Sequence, residues 1–348
     1  DGNFSARFGV YTGVIAFLLR RVTLGVLVLA ALSCASFCFF AWQSPPGSTP
    51  FGGPAVVHGS LVSQWWSWVR GLWHGSSYAV MNAPTFTRNF TFAGPTMFDS
   101  LGHTVALLAA TLLLVVAFAV LVALVSASRQ GSALDVLLRG LSYLAWAVPA
   151  FLLALLVEVL VNKTVGPRWT LPLAGWPGQC PAAFGLNRGF LTPCPAAASG
   201  LDYVWNVVRY TTLPALTLAV GFVGLHARYL RSALVESLDQ QYVTTARAKG
   251  LTERRVLLRH ALRTSLVTFS GALLADVGAI FGGAMAVDYV FQFNGLGTLF
   301  VSAFPVDIGS VNVLVVEPLI LMTAVLVIVS SILSDLVVLW LDPRVRAA

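Results

Sequence analysis

Six runs of apolar residues recur along the chain, at 22–42, 105–125, 141–161, 211–227, 266–290 and 318–341. Each is close to the ~20 residues an α-helix needs to cross the hydrocarbon of a bilayer. The pattern predicts six membrane helices, with Pro149 kinking the third. The first run continues through Phe37, Phe39, Phe40 and Trp42, and no small-x-small cleavage motif follows it cleanly. It is therefore expected to remain as a span and not to leave as a signal peptide. Two of the intervening segments, 43–101 and 162–210, are rich in Pro and Gly.

Composition strengthens this reading. Of 348 residues, 57% are hydrophobic and only 10% charged, with a mean hydropathy of +0.81. A soluble domain carries about 25% charged residues, so this chain has too few to cover a soluble surface. The expected fold class is an all-α polytopic membrane protein. A net charge of +7 would suggest nucleic acid in a soluble protein, but here the basic residues must first be sorted by side. With six spans, fifteen Lys and Arg fall on the side of the termini and six on the other. Cytoplasmic loops collect these residues, so both termini are expected in the cytoplasm.

This topology divides the chain into an N-terminal segment 1–21, the first span 22–42, an external segment 43–101 and a core 102–346. The core holds a second external loop, 162–210, and a cytoplasmic loop, 228–263. Trp65, Trp66, Trp68 and Trp73 in the first external segment suit a helix lying in the interface, or a surface that receives an external partner. Cys34 and Cys38, one turn apart in the first span, read as packing residues. Cys180 and Cys194 sit in the Pro/Gly-rich second loop and are a possible disulfide if that loop faces an oxidising space.

The loop 228–263 is long and strongly patterned. The stretch 237–250 reads as a short helix, and Gly250 suits positive φ at its C-terminal end. Thr252 then suits the N-cap of a second, basic helix, with Glu253 in the first turn where the helix dipole favours an acid. Tyr242, Thr245, Ala246 and Lys249 fall on one side at spacings of three and four. Small residues at Thr245, Ala246, Ala248 and Gly250 leave a face that another protein's groove can approach closely. A basic amphipathic helix resting on anionic lipid fits the same pattern.

The run Thr245-Ala246-Arg247-Ala248-Lys249-Gly250-Leu251, followed by His260-Ala261-Leu262-Arg263, resembles the cytoplasmic loop of ATP-binding cassette importer permeases of the dipeptide, oligopeptide and nickel branch. Gly282-Gly283-Ala284, Asp288-Tyr289-Val290-Phe291 and Gly295-Leu296-Gly297 resemble a second segment of that branch, and Leu341 to Arg346 resembles its usual ending. The chain departs from the branch where Asp288 stands for Glu, Phe293-Asn294 for Trp-Pro, and Val267 for a proline. The resemblance implies a type I importer permease fold in the bacterial inner membrane, paired with a second homologous permease. It further implies two cytoplasmic ATPase subunits that bind ATP and Mg, and an external substrate-binding protein; no nucleic acid is implied. Tyr242 to Leu251 would be the coupling helix that docks in an ATPase cleft, and closure of the ATPases would rock the spans between inward- and outward-facing states. Short peptides are the expected substrate, with nickel or another small chelate as the alternative.

The chain carries no Gly-x4-Gly-Lys-Ser/Thr phosphate loop, and its two lysines, Lys163 and Lys249, lack that setting. No cofactor or metal is expected on this chain: His226 and His260 have no second His or Cys at ligand spacing. Nor does it hold Gly-x-Ser-x-Gly or His-Glu-x-x-His, which a membrane hydrolase would need. No filter-like loop of a channel stands out, whereas a non-transporting scaffold keeps the same loop and stays open. Asp276 lies inside the fifth span, where an acid faces a cavity or a partner, and a proton relay is the sharper alternative. Gly278 and Gly282 form a Gly-x3-Gly pattern and, with Gly283, mark a permease contact or the wall of the path. Glu158 and Asp335 near helix ends suit an Arg partner or interfacial water. Asp288 and Glu317 suit either a peptide's amino terminus or loop structure.

Overall fold

The computed structural model describes residues 2–43, 97–161, 200–302 and 313–341, together with positions 60, 62, 63, 65, 66, 69, 70, 163 and 175–177. The regular elements are helices: α1 Gly2–Gln43, α2 Met97–Ser128, α3 Ala133–Ala147, α4 Ala150–Leu160, α5 Leu201–Leu238, α6 Gln241–Ala248, α7 Glu253–Ala275, α8 Val277–Phe291, α9 Leu296–Ser302 and α10 Val313–Leu341. Four of them, α1, α2, α5 and α10, are singly long and apolar enough to cross a membrane; α3 with α4 and α7 with α8 qualify only as bent pairs.

These bounds correct the sequence reading in several places. α1 begins at Gly2 and not near residue 22, so residues 2–21 belong to the same helix as the first span. The third run is broken outright, with α3 and α4 meeting at 95°. The cause is Pro149: it has no N–H to donate, and it drives Val148 out of the helical region to φ −87, ψ 121. α5 starts ten positions before the predicted span and runs on to Leu238, tolerating Pro214 inside it. Most of the predicted loop 228–263 is therefore helix, and only a short connection carrying α6 stands between α5 and α7.

α5 is the hub, packed against α2, α3, α4, α7 and α8. Leu218, Phe222, Leu230 and Leu234 on α5 meet Leu107, Val115 and Ala119 on α2 and Ile280 and Ala284 on α8 within one buried apolar cluster. Gly224 brings α3 close: a Cβ there would lie 2.5 Å from the Ser142 carbonyl oxygen. A charged clasp fixes the α6-side end of this contact. Asp135, fully buried, receives Arg231 through Nε at 2.8 Å and Nη2 at 2.7 Å, the Gly131 N–H at 3.0 Å, and the Ser126 hydroxyl. The fork of the guanidinium matches both carboxylate oxygens, which makes this a strong, orienting pair.

α1 stands apart and packs on α10. Arg21 Nε lies 2.9 Å from Asp335 at one end, which gives Asp335 its Arg partner, and Ser36 donates to Glu317 at 2.9 Å at the other. A Cβ at Gly25 would lie 2.9 Å from the Ile328 side chain, so the two helices nearly touch midway. Trp65 donates to Ser33 on α1 at 3.0 Å, while Cys34 and Cys38 are exposed free thiols and not packing residues. Trp68, Trp73, Cys180, Cys194 and the ending 342–348 lie outside the described residues.

Candidate functional site

α6 is a short helix whose composition is mostly polar, so what seats it matters. Val243 and Ala246, three positions apart, turn inward and bury against Val256 at the start of α7, with Leu238 and Leu251 closing the cluster. The helix ends in a Schellman turn: the Leu251 N–H bonds to the Ala246 carbonyl at 3.3 Å and the Gly250 N–H to the Arg247 carbonyl at 2.9 Å. Gly250 takes φ +77, as its position in the sequence suggested. Its Cβ direction is open space, with no atom within 4 Å.

Polar contacts complete the seat. The Tyr242 hydroxyl meets Ser237 at the end of α5, and Ser237 also donates to the Ala261 carbonyl of α7 at 3.4 Å. Arg247 forms a bidentate pair with Glu253, Nε to Oε1 at 2.8 Å and Nη2 to Oε2 at 3.1 Å. Both groups lie in the charged stretch ahead of the apolar part of α7. Hydrogen bonding to Arg247 holds the Glu253 carboxyl below the usual glutamate range, and the same bond raises Arg247. Thr252 stands at the N-cap with extended backbone, and its carbonyl, not its side chain, accepts the first helical bonds, from Arg255 at 2.8 Å and Val256 at 3.0 Å. The turn that follows, Val256–Ala261, is π-helical, a local widening often found at functional positions.

The predicted face is thereby rearranged. Tyr242, Thr245, Ala248, Lys249 and Gly250 are exposed, but Ala246 is buried at 6% and forms part of the seat instead of the outward surface. The reason is the Val243/Ala246 spacing, which makes the only compact apolar patch on α6 face inward. Arg247 is exposed but already engaged by Glu253, and Leu251 is half-buried in the cluster. The seat residues Val243, Val256 and Ser237 were not singled out from sequence; the apolar pair in a polar octapeptide was the available signal.

The second candidate group divides. Asp276 sits at the break where α7 and α8 meet at 50°. Gly278 and Gly282 on α8 are exposed, with nothing within 4 Å of a Cβ, whereas Gly283 packs inward against Leu218 and Phe222 of α5. Gly283 is therefore an internal contact and not part of an outer face. Asp288 is likewise internal, only 1% exposed. Its carboxylate accepts the N–H groups of Gly295, Gly297 and Thr298 at 3.0, 2.6 and 3.1 Å, and the Thr298 hydroxyl at 2.9 Å. Of the two roles open to it, loop structure is the one the geometry supports, since both oxygens are engaged by the turn.

That capping holds a tight turn in which Gln292 and Asn294 both adopt positive φ, 48° and 59°. α2 braces the turn: the Thr104 hydroxyl accepts from the Leu296 N–H at 2.9 Å, and His103 Nδ1 lies 3.0 Å from the Asn294 carbonyl. Trp176, between α4 and α5, stacks on His103 with ring centroids 4.0 Å apart and meets Phe293 edge-on at 5.1 Å.

The described residues form a helical bundle with several helices long and apolar enough to cross a membrane and a short helix seated between two of them. The chain belongs to the family described as the binding-protein-dependent transport system inner membrane component, which it matches over residues 119–347. It is a multi-pass protein of the bacterial inner membrane. A Brucella suis biovar 1 protein provisionally named a peptide permease is 32% identical over 251 residues, covering 71% of this chain and 69% of that protein. The oligopeptide transport system permease protein AppB of Bacillus subtilis is 25% identical over 95% of this chain and 99% of its own length. The dipeptide transport system permease protein DppB of Lactococcus lactis subsp. cremoris is 25% identical over 96% of this chain and 100% of its own.

Proposed function

We propose that this chain is one permease subunit of an ATP-driven importer that moves short peptides into the cell. The names of the relatives support the peptide class. The observation that carries the coupling role is the seat of α6: a rigid helix, closed by a Schellman turn and bonded to the ends of both α5 and α7, with Tyr242, Thr245, Ala248, Lys249 and Gly250 turned outward. A push on such a helix moves two spans together, where a floppy loop would absorb it.

In this reading the six apolar runs are six spans, the bent pairs α3–α4 and α7–α8 each counting as one, with both termini cytoplasmic. α6 docks in the cleft of one of two ATPase subunits, which bind ATP and Mg. A second homologous permease completes the path, an external binding protein delivers the peptide, and ATPase closure alternates the access. The exposed Gly278 and Gly282 face the partner permease or the path. Co-purification of the tagged chain from native membranes, with mass spectrometry of what stays bound, tests the assembly. Recovery of a second permease and Walker-type ATPases, with peptide-stimulated ATP turnover in the reconstituted complex, is the expected result; recovery of this chain alone in several mild detergents would overturn it.

A further inference from the structure

His226 and Asp276 meet where the α7–α8 pair bends, and their geometry calls for a proton. His226 is fully buried on α5, and its Nε2 lies 3.5 Å from Asp276 Oδ2. Its Nδ1 lies 2.9 Å from the Phe222 carbonyl oxygen, one turn back on the same helix. A carbonyl only accepts, so Nδ1 carries hydrogen. A neutral ring then presents a bare lone pair at Nε2, which faces the Asp276 carboxylate and has no hydrogen-bond partner among the described residues. The ring is fully buried while Asp276 is 31% exposed, so lone pair against lone pair is repulsive on the ring's side, and a single proton removes the conflict. It either makes the ring an imidazolium paired with Asp276 or sits on Asp276 and is donated to Nε2.

We propose that His226 and Asp276 together bind one proton, and that this proton latches the break between α7 and α8 to α5. Loss of the proton turns the contact repulsive and frees the break, at the point where α8 and the turn beyond it change direction. Ionisable groups in transmembrane segments pair or mark proton sites, and here the pair joins α5 to the break between α7 and α8.

Among the described residues, few other ionisable groups face the pair. Tyr229, on α5, meets the ring edge-on at 5.9 Å, and Phe269 of α7 covers another edge at 6.1 Å. Arg228 turns away to the Ser142 carbonyl at 2.9 Å and lies over Tyr143 of α3. On the packed neighbours, Asp135 and Arg139 of α3 belong to the Arg231 clasp, His103 of α2 and Asp288 of α8 to the far turn, and Asp335 of α10 to Arg21. Glu158 of α4 is buried near that helix's C-terminal end.

The test uses the full chain alone in lipid nanodiscs, with 15N-labelled histidine, and so depends on no partner subunit. His226→Gln assigns the signal. We expect Nδ1 to stay protonated throughout, while the Nε2 signal changes with pH. In Asp276→Asn, whose amide can donate to Nε2 without charge, that titration should be absent, a change in proton affinity of about tenfold or more. A wild-type ring with bare Nδ1, or a titration unmoved by Asp276→Asn, overturns the proposal. The latch is read separately, by the distance between spin labels at the exposed positions Leu216 on α5 and Tyr289 on α8. It should lengthen at alkaline pH in the wild-type background and stay constant in Asp276→Asn; a wild-type distance that ignores pH overturns the latch.

Discussion

The two ends of the bundle solve opposite problems with the same materials. At one end Asp288 is buried and every donor around it is used, so a turn with two left-handed residues is pinned from within and from α2. At the other end α6 is seated by burying its own Val243 and Ala246 against Val256, with a few exposed polar bonds, and its outward edge is exposed. Buried and fully satisfied polar groups specify one geometry and resist change, whereas a thin seat on an exposed helix leaves a surface that can be used. The contrast predicts that equal chemical insults will unfold one end and merely disconnect the other.

The largest effect should therefore come from the Asp288 turn. Asp288→Ala leaves the buried N–H groups of Gly295 and Gly297 and the half-buried N–H of Thr298 without their acceptor, at a cost on the order of 3–5 kcal/mol. Gly297→Ala should be as damaging, because its new methyl would collide with the Met285 backbone, which cannot move aside. Thermal unfolding in detergent should show both variants with a much lower midpoint and poor yield. Near-normal stability in both would mean the turn is not pinned as described.

Gly250→Trp attacks the opposite end with the opposite expected signature. The positive φ costs a bulky residue about 1–2 kcal/mol, but the Cβ points into open space. The chain should insert and melt almost as wild type while peptide uptake falls and ATP turnover in the complex no longer responds to substrate. Normal uptake by this variant would remove α6 from the coupling role. Ala246→Trp sharpens the point, since Ala246 is part of the seat: it should displace α6 from Val243 and Val256, costing on the order of 1–3 kcal/mol locally. Faster amide exchange across α6, absent in Gly250→Trp, would separate a broken seat from a blocked face.

How much of this was readable beforehand depends on whether the cause is local. The apolar runs, the glycine at 250 with its left-handed φ, and the break at Pro149 follow from single residues or short windows, and all were legible except for the full size of the bend. The direction faced by Ala246 was not, because small residues carry no label for inside or outside; only the partner Val256, beyond the turn, decides it. Asp288 was ambiguous for a similar reason: its four donors are supplied by residues 295–298, and only the folded turn shows that none of its acceptor capacity is spare. The pairs Asp135–Arg231 and His226–Asp276 join helices distant in sequence and had no periodic signal at all.

The smallest effect belongs to Arg247 and Glu253, which brace the α6–α7 connection at the surface. Glu253 is 70% exposed, so water and salt screen the pair, and Glu253→Gln should leave the unfolding midpoint unchanged within error. The pH dependence carries a definite sign. A carboxyl held below its unfolded value contributes its stabilisation above that value, near 4.3 for glutamate, and loses it as pH falls through the lower folded value. At neutral pH the brace is fully formed. Amide exchange in the 247–253 connection, corrected for the intrinsic rate, should accelerate in acid for the wild-type chain, while Glu253→Gln should show the faster behaviour at every pH. Identical profiles for the two would mean the bidentate contact does not hold α6 in place, and that the three-residue apolar seat alone supports the helix.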